Sequence, residues 1–550
     1  MTICYFLSRM RAPTLLSLLA VVVLAPSTVL AQQPEGLSPV AYLRAAPIKE
    51  TLREFQEVAR VFAPGNEQIE TMPAMIGTMI GDPGFESFYD TDDIALLVFM
   101  PGLQQPPATV LATKIRKDSP VRKQAEAMGM AMVDKLGWTF FGQDSLAVSA
   151  IGSGKKVLPV LQKSRASDIE IGIWPERALR QRALISMMAP MMLSQIPQLA
   201  NNQEAMLNIT TSISALLDEL ASIESLVVGI NMDADQITLQ TVAKAKEGTP
   251  LNLFFAQEVG GKTLEMARYV PDGGMFAVAQ QFDAAALSNY TEHLFTSFGS
   301  RMTEDLQPII KRFKELTVKQ YELMDSSNIA RTSISEGGAQ DIVSIVGLKS
   351  SDSSEAVMEA MRGYNQFVFS EVMGTDLFAA MPFTYKVEQN ENVAEEGGVT
   401  ISSTMIGAES SDADISANLP PAQNIYQSVI GDQMLITSSL EGMKELIKRV
   451  QSKEPAPDNL AGLTLRPGTA LRYKMDMKEY IMMLVEPMRT TYGDNYVKAV
   501  REQLEGIKVS PIVGSLGFQQ GRLLSTTVVP LDSVGLITQY FSQLEGIGAE

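Results

Sequence analysis

One pattern recurs four times along this chain and limits what it can fold into. A short apolar-rich strand is followed by a proline or aspartate, helical sequence, and two alternating strands. The copies open at Val40-Ala41-Tyr42-Leu43-Arg44, Ile169-Glu170-Ile171-Gly172-Ile173, Met275-Phe276-Ala277-Val278-Ala279 and Ala470-Leu471-Arg472-Tyr473-Lys474. Pro47, Pro175, Asp283 and Asp476 stand where each helix should begin. Proline loses nothing at the first helical position, and an aspartate accepts the free N–H groups of a first turn. The strand pairs are Ile94–Met100 with Val110–Ile115, Leu226–Met232 with Gln236–Val242, Ala330–Ser335 with Asp341–Leu348, and Ile512–Phe518 with Leu523–Val529. Their apolar–polar alternation marks half-buried antiparallel strands.

Four such modules predict an α+β fold of two similar halves, 32–250 and 268–540, with a connector at 251–267 and a tail at 541–550. The early strands are offset by 234 positions (Tyr42 to Phe276) and the later ones by 301 (Glu170 to Leu471), so the second half carries an insertion. Residues 353–428 supply it, with a hairpin around Glu395-Glu396-Gly397-Gly398. A local similarity sets Phe141–Ser149 beside Ile430–Ser438, with Val148 opposite Ile436, and predicts a strand, a glycine turn and a helix in each copy. Leu306, Ile309, Ile310, Phe313 and Leu316 form one helical stripe; Val121, Ala125, Met128, Met132 and Leu136 form another. Gly407–Asn424 and Ser452–Asn459 read as flexible loops.

The N-terminus reads as an address. Arg9 and Arg11 precede the apolar run Leu15–Leu24, then small residues at Val29 and Ala31, the layout of a secretory signal peptide cleaved after Ala31. The apolar run falls short of the roughly 20 residues that span a bilayer. The one cysteine, Cys4, lies before that run, so the mature chain has no disulfide and relies on its core. With 45 basic and 63 acidic residues the chain carries −18, and −20 once the signal is removed. A nucleic-acid partner, which needs clustered positive charge, is disfavoured. No later stretch is apolar enough to span a membrane, so the expectation is a soluble periplasmic or extracellular protein. The overall layout resembles that of exported bacterial proteins classed as domains of unknown function; the resemblance implies an envelope location and no particular activity.

Candidate chemistry is sparse. Ser149–Lys156 sits where a phosphate loop would, but Ser149 occupies the first glycine position and Lys156 replaces the hydroxyl residue, which favours a structural turn. Ser153 and Lys156 have a Ser-x-x-Lys spacing without the partner elements of acyl-transfer enzymes, and the aligned copy has Glu441 in place of Ser153. His293, the only imidazole, lies on a mixed-face helix and has no nucleophile elbow to serve. Asp82, Asp90, Asp92 and Asp93 could offer oxygens to a hard cation, but their spacing fits no EF-hand; solvated turns are expected there and at Asp233-Ala234-Asp235. Asn208 and Asn289 head Asn-x-Thr sequons.

Methionine is abundant, 31 of 550 residues. It clusters at Met72/Met75/Met79, Met128/Met130/Met132, Met187/Met188/Met191/Met192 and Met475/Met477/Met482/Met483. Core packing is the expected role, ahead of an apolar groove and of Cu(I) binding through thioethers. The sequence assigns no catalytic, cofactor or metal residue. It points to a non-catalytic binding or scaffolding protein, with an apolar ligand held between Met-rich helices and a sheet face, or an envelope protein as partner. A carboxylate-based hydrolase and a Met-based copper protein are the alternatives.

Overall fold

The computed structural model describes residues 38–547 apart from 63–64, 101–106, 152–156, 164, 180–202, 260–264, 305, 335–339, 351–353, 373–382, 411–418, 420–421 and 464. The signal segment with Ala31, the Ser153/Lys156 pair and the Met187–Met192 cluster lie outside the described residues. The chain divides into two compact units. Among the described residues, one is formed by 38–179 with Val227–Met232 and the other by 203–226 and Asp233 onward, which includes the described residues of the expected connector at 251–267. Among the described residues no helix is long and apolar enough to cross a membrane.

The first unit runs β1 (Ala41–Ala45), α1 (Ile48–Phe62), α2 (Glu67–Met79), β2 (Ile94–Phe99), β3 (Ala108–Thr113), α3 (Pro120–Ala127), β4 (Ala131–Lys135), β5 (Trp138–Gly142), α4 (Ser145–Ala150), α5 (Leu158–Gln162), β6 (Ile169–Ile173) and α6 (Pro175–Ala178). Its strands pair antiparallel in the order β4–β5–β3–β2–β1–β6. Alternation turns Leu97, Val110, Ala112 and Phe140 to one face beneath Val148 and Leu161 of α4 and α5. It turns Ile94, Leu111 and Phe141 to the other, beneath Leu52, Ile76, Val121 and Ala125 of α1 to α3. Tyr42 lies across the strand pair onto Gly172, where an added Cβ would meet its ring at 1.9 Å, so only glycine fits opposite it.

The second unit opens with α7 (Gln203–Ala221) and β7 (Ile223–Met232), the strand in which the chain crosses the division. It continues with β8 (Gln236–Ala245), α8 (Pro250–Phe255), β9 (Phe276–Gln281), α9 (Ala284–Gly299), α10 (Gln307–Leu323), β10 (Met324–Ile334), β11 (Gln340–Leu348), α11 (Ser354–Gln366), β12 (Thr384–Glu396) and β13 (Val399–Glu409). The remainder is β14 (Gln423–Ile430), β15 (Gln433–Thr437), α12 (Leu440–Ser452), β16 (Thr469–Met475), α13 (Met477–Val485), α14 (Arg489–Tyr492), α15 (Asp494–Glu505), β17 (Ile512–Gln519), β18 (Arg522–Pro530) and α16 (Leu531–Ile547). Eleven strands pair antiparallel in the order β12–β13–β14–β15–β11–β10–β9–β16–β17–β18–β8. The series β14–β15–β11–β10–β9–β16 runs through the same connections as β4–β5–β3–β2–β1–β6, with the inserted β13 and β12 added outside β14.

The four strand starts and the helix starts at Pro175, Asp283 and Asp476 fall where the sequence puts them; Asp283 and Asp476 each accept a backbone N–H of their helix. Three expectations are corrected. The stripe Val121–Leu136 is not one helix: α3 stops at Ala127 because Gly129 takes a left-handed φ of 70° and the Met130 N–H closes onto the Ala125 carbonyl, after which Met132 lies in β4. Val148 is helical, in α4, whereas Ile436 is in β15. The matching positions are instead Asp144 and Ser439, which cap α4 and α12 by accepting the N–H groups of Ala147 and Gly442. Ser452–Asn459 is anchored rather than loose: Ala456 is buried and donates to the Arg268 carbonyl, and Asp458 accepts from Asp272.

Candidate functional site

The two faces of the second unit's central strands differ in how far they are covered. On one face Ala277 and Ala279 of β9, Ile329 of β10, Val343 and Ile345 of β11 and Leu435 of β15 are buried in one core cluster with Met266, Val270 and Leu460 and with Met443, Leu446 and Ile447 of α12. Each such large apolar side chain contributes about 1.5–3 kcal/mol by leaving water. The charged residues of these strands share that parity and find partners at its end: Arg331 pairs with Asp341 at 2.5 Å and Lys474 with Asp272 at 2.5 Å.

On the opposite face the same strands present Phe276, Val278 and Gln280 from β9, Asn328, Ala330 and Thr332 from β10, and Leu471, Tyr473 and Met475 from β16. All nine are half-buried, and none is an acid or a base at neutral pH. Val278 is the centre, opposite Ala330 on one side and Tyr473 on the other. Tyr473 stacks on Phe276 with ring centroids 5.9 Å apart, lies over Gly514, and shares a 2.8 Å hydrogen bond with the Thr527 hydroxyl. Its polar end is therefore satisfied, and the ring itself is what faces outward. Asn328 accepts a hydrogen bond from the Ser344 hydroxyl at 2.8 Å.

Three apolar clusters border this floor. Met475 and Ile512 pack with Met477, Ile481 and Met482 of α13. Val346, Met434 and Ile436 pack with Leu323, Val357, Met358 and Met361. Leu516, Phe518 and Leu523 pack with Phe254, Phe255 and Tyr290. Phe276, Val278, Ala330 and Tyr473 belong to none of the three. The arrangement is an apolar, aromatic-bearing patch with methionine-rich packing at its margins, suited to hold aliphatic or aromatic groups; among its nine residues the one ionisable group is the Tyr473 phenol.

The other sequence candidates are dispersed. His293 of α9 lies 2.7 Å from Glu219 of α7, which also accepts from the Tyr290 hydroxyl at 3.4 Å. Burial, and then the nearby Glu219 carboxylate, push the Tyr290 phenol well above its ordinary range. The four aspartates go to separate tasks. Asp82 is buried, not solvated, and its carboxylate accepts the N–H groups of Glu86 and Ser87 at 3.0 and 2.7 Å. Burial works against its charge, yet those bonds hold its pKa below the usual carboxylate value. Asp90, Asp92 and Asp93 pair with Lys49, Lys114 and Arg44. Asn208 is buried and accepts from the Thr303 N–H, while Asn289 is exposed.

Met477 and Met482 are core residues, as expected, but Met75 and Met79 are exposed along α2. Two acids rise above the usual range. Glu54 does so through burial and then Asp168, Glu479 through burial and then Asp476. In each pair the second acid is occupied by backbone N–H groups, of Met232 for Asp168 and of Lys478 and Glu479 for Asp476. Sequence reasoning missed the half-open face: Phe276 and Tyr473 were legible as strand residues, but which strand face lies open depends on the covering helices. No protein family, curated protein or solved structure matches the chain.

Proposed function

We propose that this chain is an exported, non-catalytic binding protein of the cell envelope, which holds an apolar ligand or a partner's apolar side chains on the half-open face of β9, β10 and β16. The observation that carries the reading is that face itself: nine half-buried residues at the middle of a large sheet, apolar or amide- and hydroxyl-bearing, with the charged residues turned to the other side. A hydrolase would need two carboxyls about 5–10 Å apart in a cleft, and this floor offers none. The N-terminal pattern ending at Ala31 supports export. We also take the two strand series to descend from one repeated element. In support, β8 and β18 pair about a centre at Gln240 opposite Thr526, from Lys244 opposite Arg522 to Gln236 opposite Pro530, the register expected of two copies of one strand.

The test is native mass spectrometry of the mature protein purified from its own envelope, with organic extraction of anything bound. The expected result is a reproducible, stoichiometric hydrophobe in the wild type that is lost in Phe276→Ser and Val278→Thr. A clean apo mass in every preparation, together with failure of an anilinonaphthalene dye to bind in a way these substitutions reduce, would sink the reading.

A further inference from the structure

We infer that the free edge of β4 pairs, antiparallel, with the same strand of a second copy of this chain. The inference stands apart from the apolar-face reading and shares no residue with it.

The two strand series differ at one end. In the second unit β13 and β12 lie outside β14; in the first, β4 is the last strand, and β5 is its one ladder partner among the described residues. Both strands lead into a two-residue tip, Leu136-Gly137 after β4 and Gly431-Asp432 after β14. Counted from these tips, Met132 corresponds to Gln427. Gln427 lies opposite Ser402 of β13, and both are buried. The same edge position is thus filled by an antiparallel strand in one unit and bare in the other. A bare edge is a row of unpaired N–H and C=O groups, a template for another strand.

The turn determines which groups are free. Leu136 and Gly137 have φ of 55° and 81°, the signs of a type I′ tip, so the flanking Lys135 and Trp138 exchange both of their backbone bonds. Alternation then aims the backbone groups of Ala131 and Val133 at β5 and those of Met132 and Asp134 outward. No backbone bond from another segment reaches Met132 or Asp134 among the described residues. A two-fold axis at Val133 sets Met132 of each copy opposite Asp134 of the other and uses every outward group. An axis at Asp134 would set two carboxylates face to face. One at Met132 would set Asp134 opposite Met130, whose N–H already closes onto the Ala125 carbonyl.

The side chains around the edge suit the same axis. The Asp134 carboxylate is already answered by Arg122 at 2.7 Å. Lys123 and Glu126, both exposed on α3, are of opposite sign, so two copies of this face do not meet as like charges. Leu136 and Met128 are 59% and 56% exposed, and the axis carries Leu136 of one copy toward Met130 and Met128 of the other. Leucine is also a poor residue at φ 55°, where its Cβ crowds the following carbonyl. Its place at this tip breaks a conformational and a solvation rule together, which a contact with a second copy repays.

The test is sedimentation velocity of the mature protein, expressed from Gln32, over a range of concentrations. A reversible dimer is expected. Met132→Pro removes an outward N–H where no ladder bond is lost within the unit, and should raise the dimer dissociation constant at least about tenfold. Leu136→Asn gives the tip the Asn-Gly pair that type I′ turns prefer, so the hairpin is kept, and should raise it about tenfold. The emission of Trp138, buried beside the tip, checks that each variant keeps the hairpin. Val133→Cys, in a chain with no other cysteine after Gln32, should cross-link to itself in oxidised glutathione, because a non-hydrogen-bonded pair brings the two β-carbons together; Lys135→Cys should not. A monomer at every concentration, a dimer that neither Met132→Pro nor Leu136→Asn weakens, or cross-linking through Lys135→Cys alone would overturn the proposal. A dimer in protein that yields no extracted hydrophobe would leave this inference standing while the ligand reading fails.

Discussion

Arg44→Met should destabilise the first unit by about 3–5 kcal/mol, the cost of breaking a buried ion pair by removing one partner. Arg44 sits in β1, almost wholly buried, with Nη2 2.6 Å from Asp93 Oδ2. Its Nη1 donates to the Val160 carbonyl at 3.1 Å and to the Lys163 carbonyl, clamping α5 and the residue after it to the sheet. Methionine keeps the volume of the stem but strands Asp93, whose other nearby cation, Arg165, stands 4.0 Å away. Two carbonyl acceptors lose their donor as well, each worth about 1 kcal/mol or more when left dry. Both tryptophans, Trp138 and Trp174, lie in this unit, so their fluorescence follows its unfolding without contribution from the second. With a urea slope of about 2 kcal/mol per molar, the midpoint should fall by about 1.5–2.5 M. Arg44→Met combined with Asp93→Leu should recover part of that loss, because it removes the stranded charge; a coupling energy of about 1–3 kcal/mol is expected. A midpoint shift under about 0.3 M for the single variant, or purely additive losses in the double, would refute the clamp.

The same fluorescence assay checks two further outcomes. Gly172→Ala should destabilise the first unit by about 1–3 kcal/mol, since its Cβ would meet the Tyr42 ring and displace the hydroxyl from Glu170, to which it donates at 2.5 Å; an unchanged midpoint would show that the ring moves freely. Glu54→Gln should stabilise it at neutral pH, because burial and then Asp168 raise the folded-state carboxyl above its unfolded value and penalise the ionised form. That gain is full above the raised value and shrinks as pH falls toward the ordinary carboxylate range, where both states are protonated; a gain that grows on acidification would reverse the assigned cause.

Much of the local structure was legible because period-two runs ended in residues with one structural use. Ile169–Ile173 before Pro175, and Met275–Ala279 before Asp283, each became a strand followed by a helix. The stripe Val121–Leu136 misled because Met128, Met132 and Leu136 keep helical spacing across Gly129, and spacing carries no information about a backbone that reverses. The pairing order was illegible for a different reason: β9 lies between β10 and β16, two strands far apart in sequence, and nothing local in Phe276–Gln281 names them. The Arg44–Asp93 clamp is invisible in the same way, since either residue alone reads as a surface charge.

The candidate site lies one level beyond even the pairing order. Ala277 and Val278 are neighbours in one strand, and hydropathy would bury the valine more deeply; the alanine is the one sealed in the core, and the valine is left half open. The small residue lies on the sealed face, in the core cluster that also holds Met266, Val270, Leu460, Met443, Leu446 and Ile447. The charges that could not be tolerated in that layer, Arg331 and Lys474, stand at its margin with acids that answer them. In β9 and β16 the open face takes the larger apolar side chains, and none of its nine residues is charged. A sheet that only needed burial would place Phe276, Val278 and Tyr473 beneath the helices, so their half-exposure at its middle is what directs attention to a ligand rather than to packing.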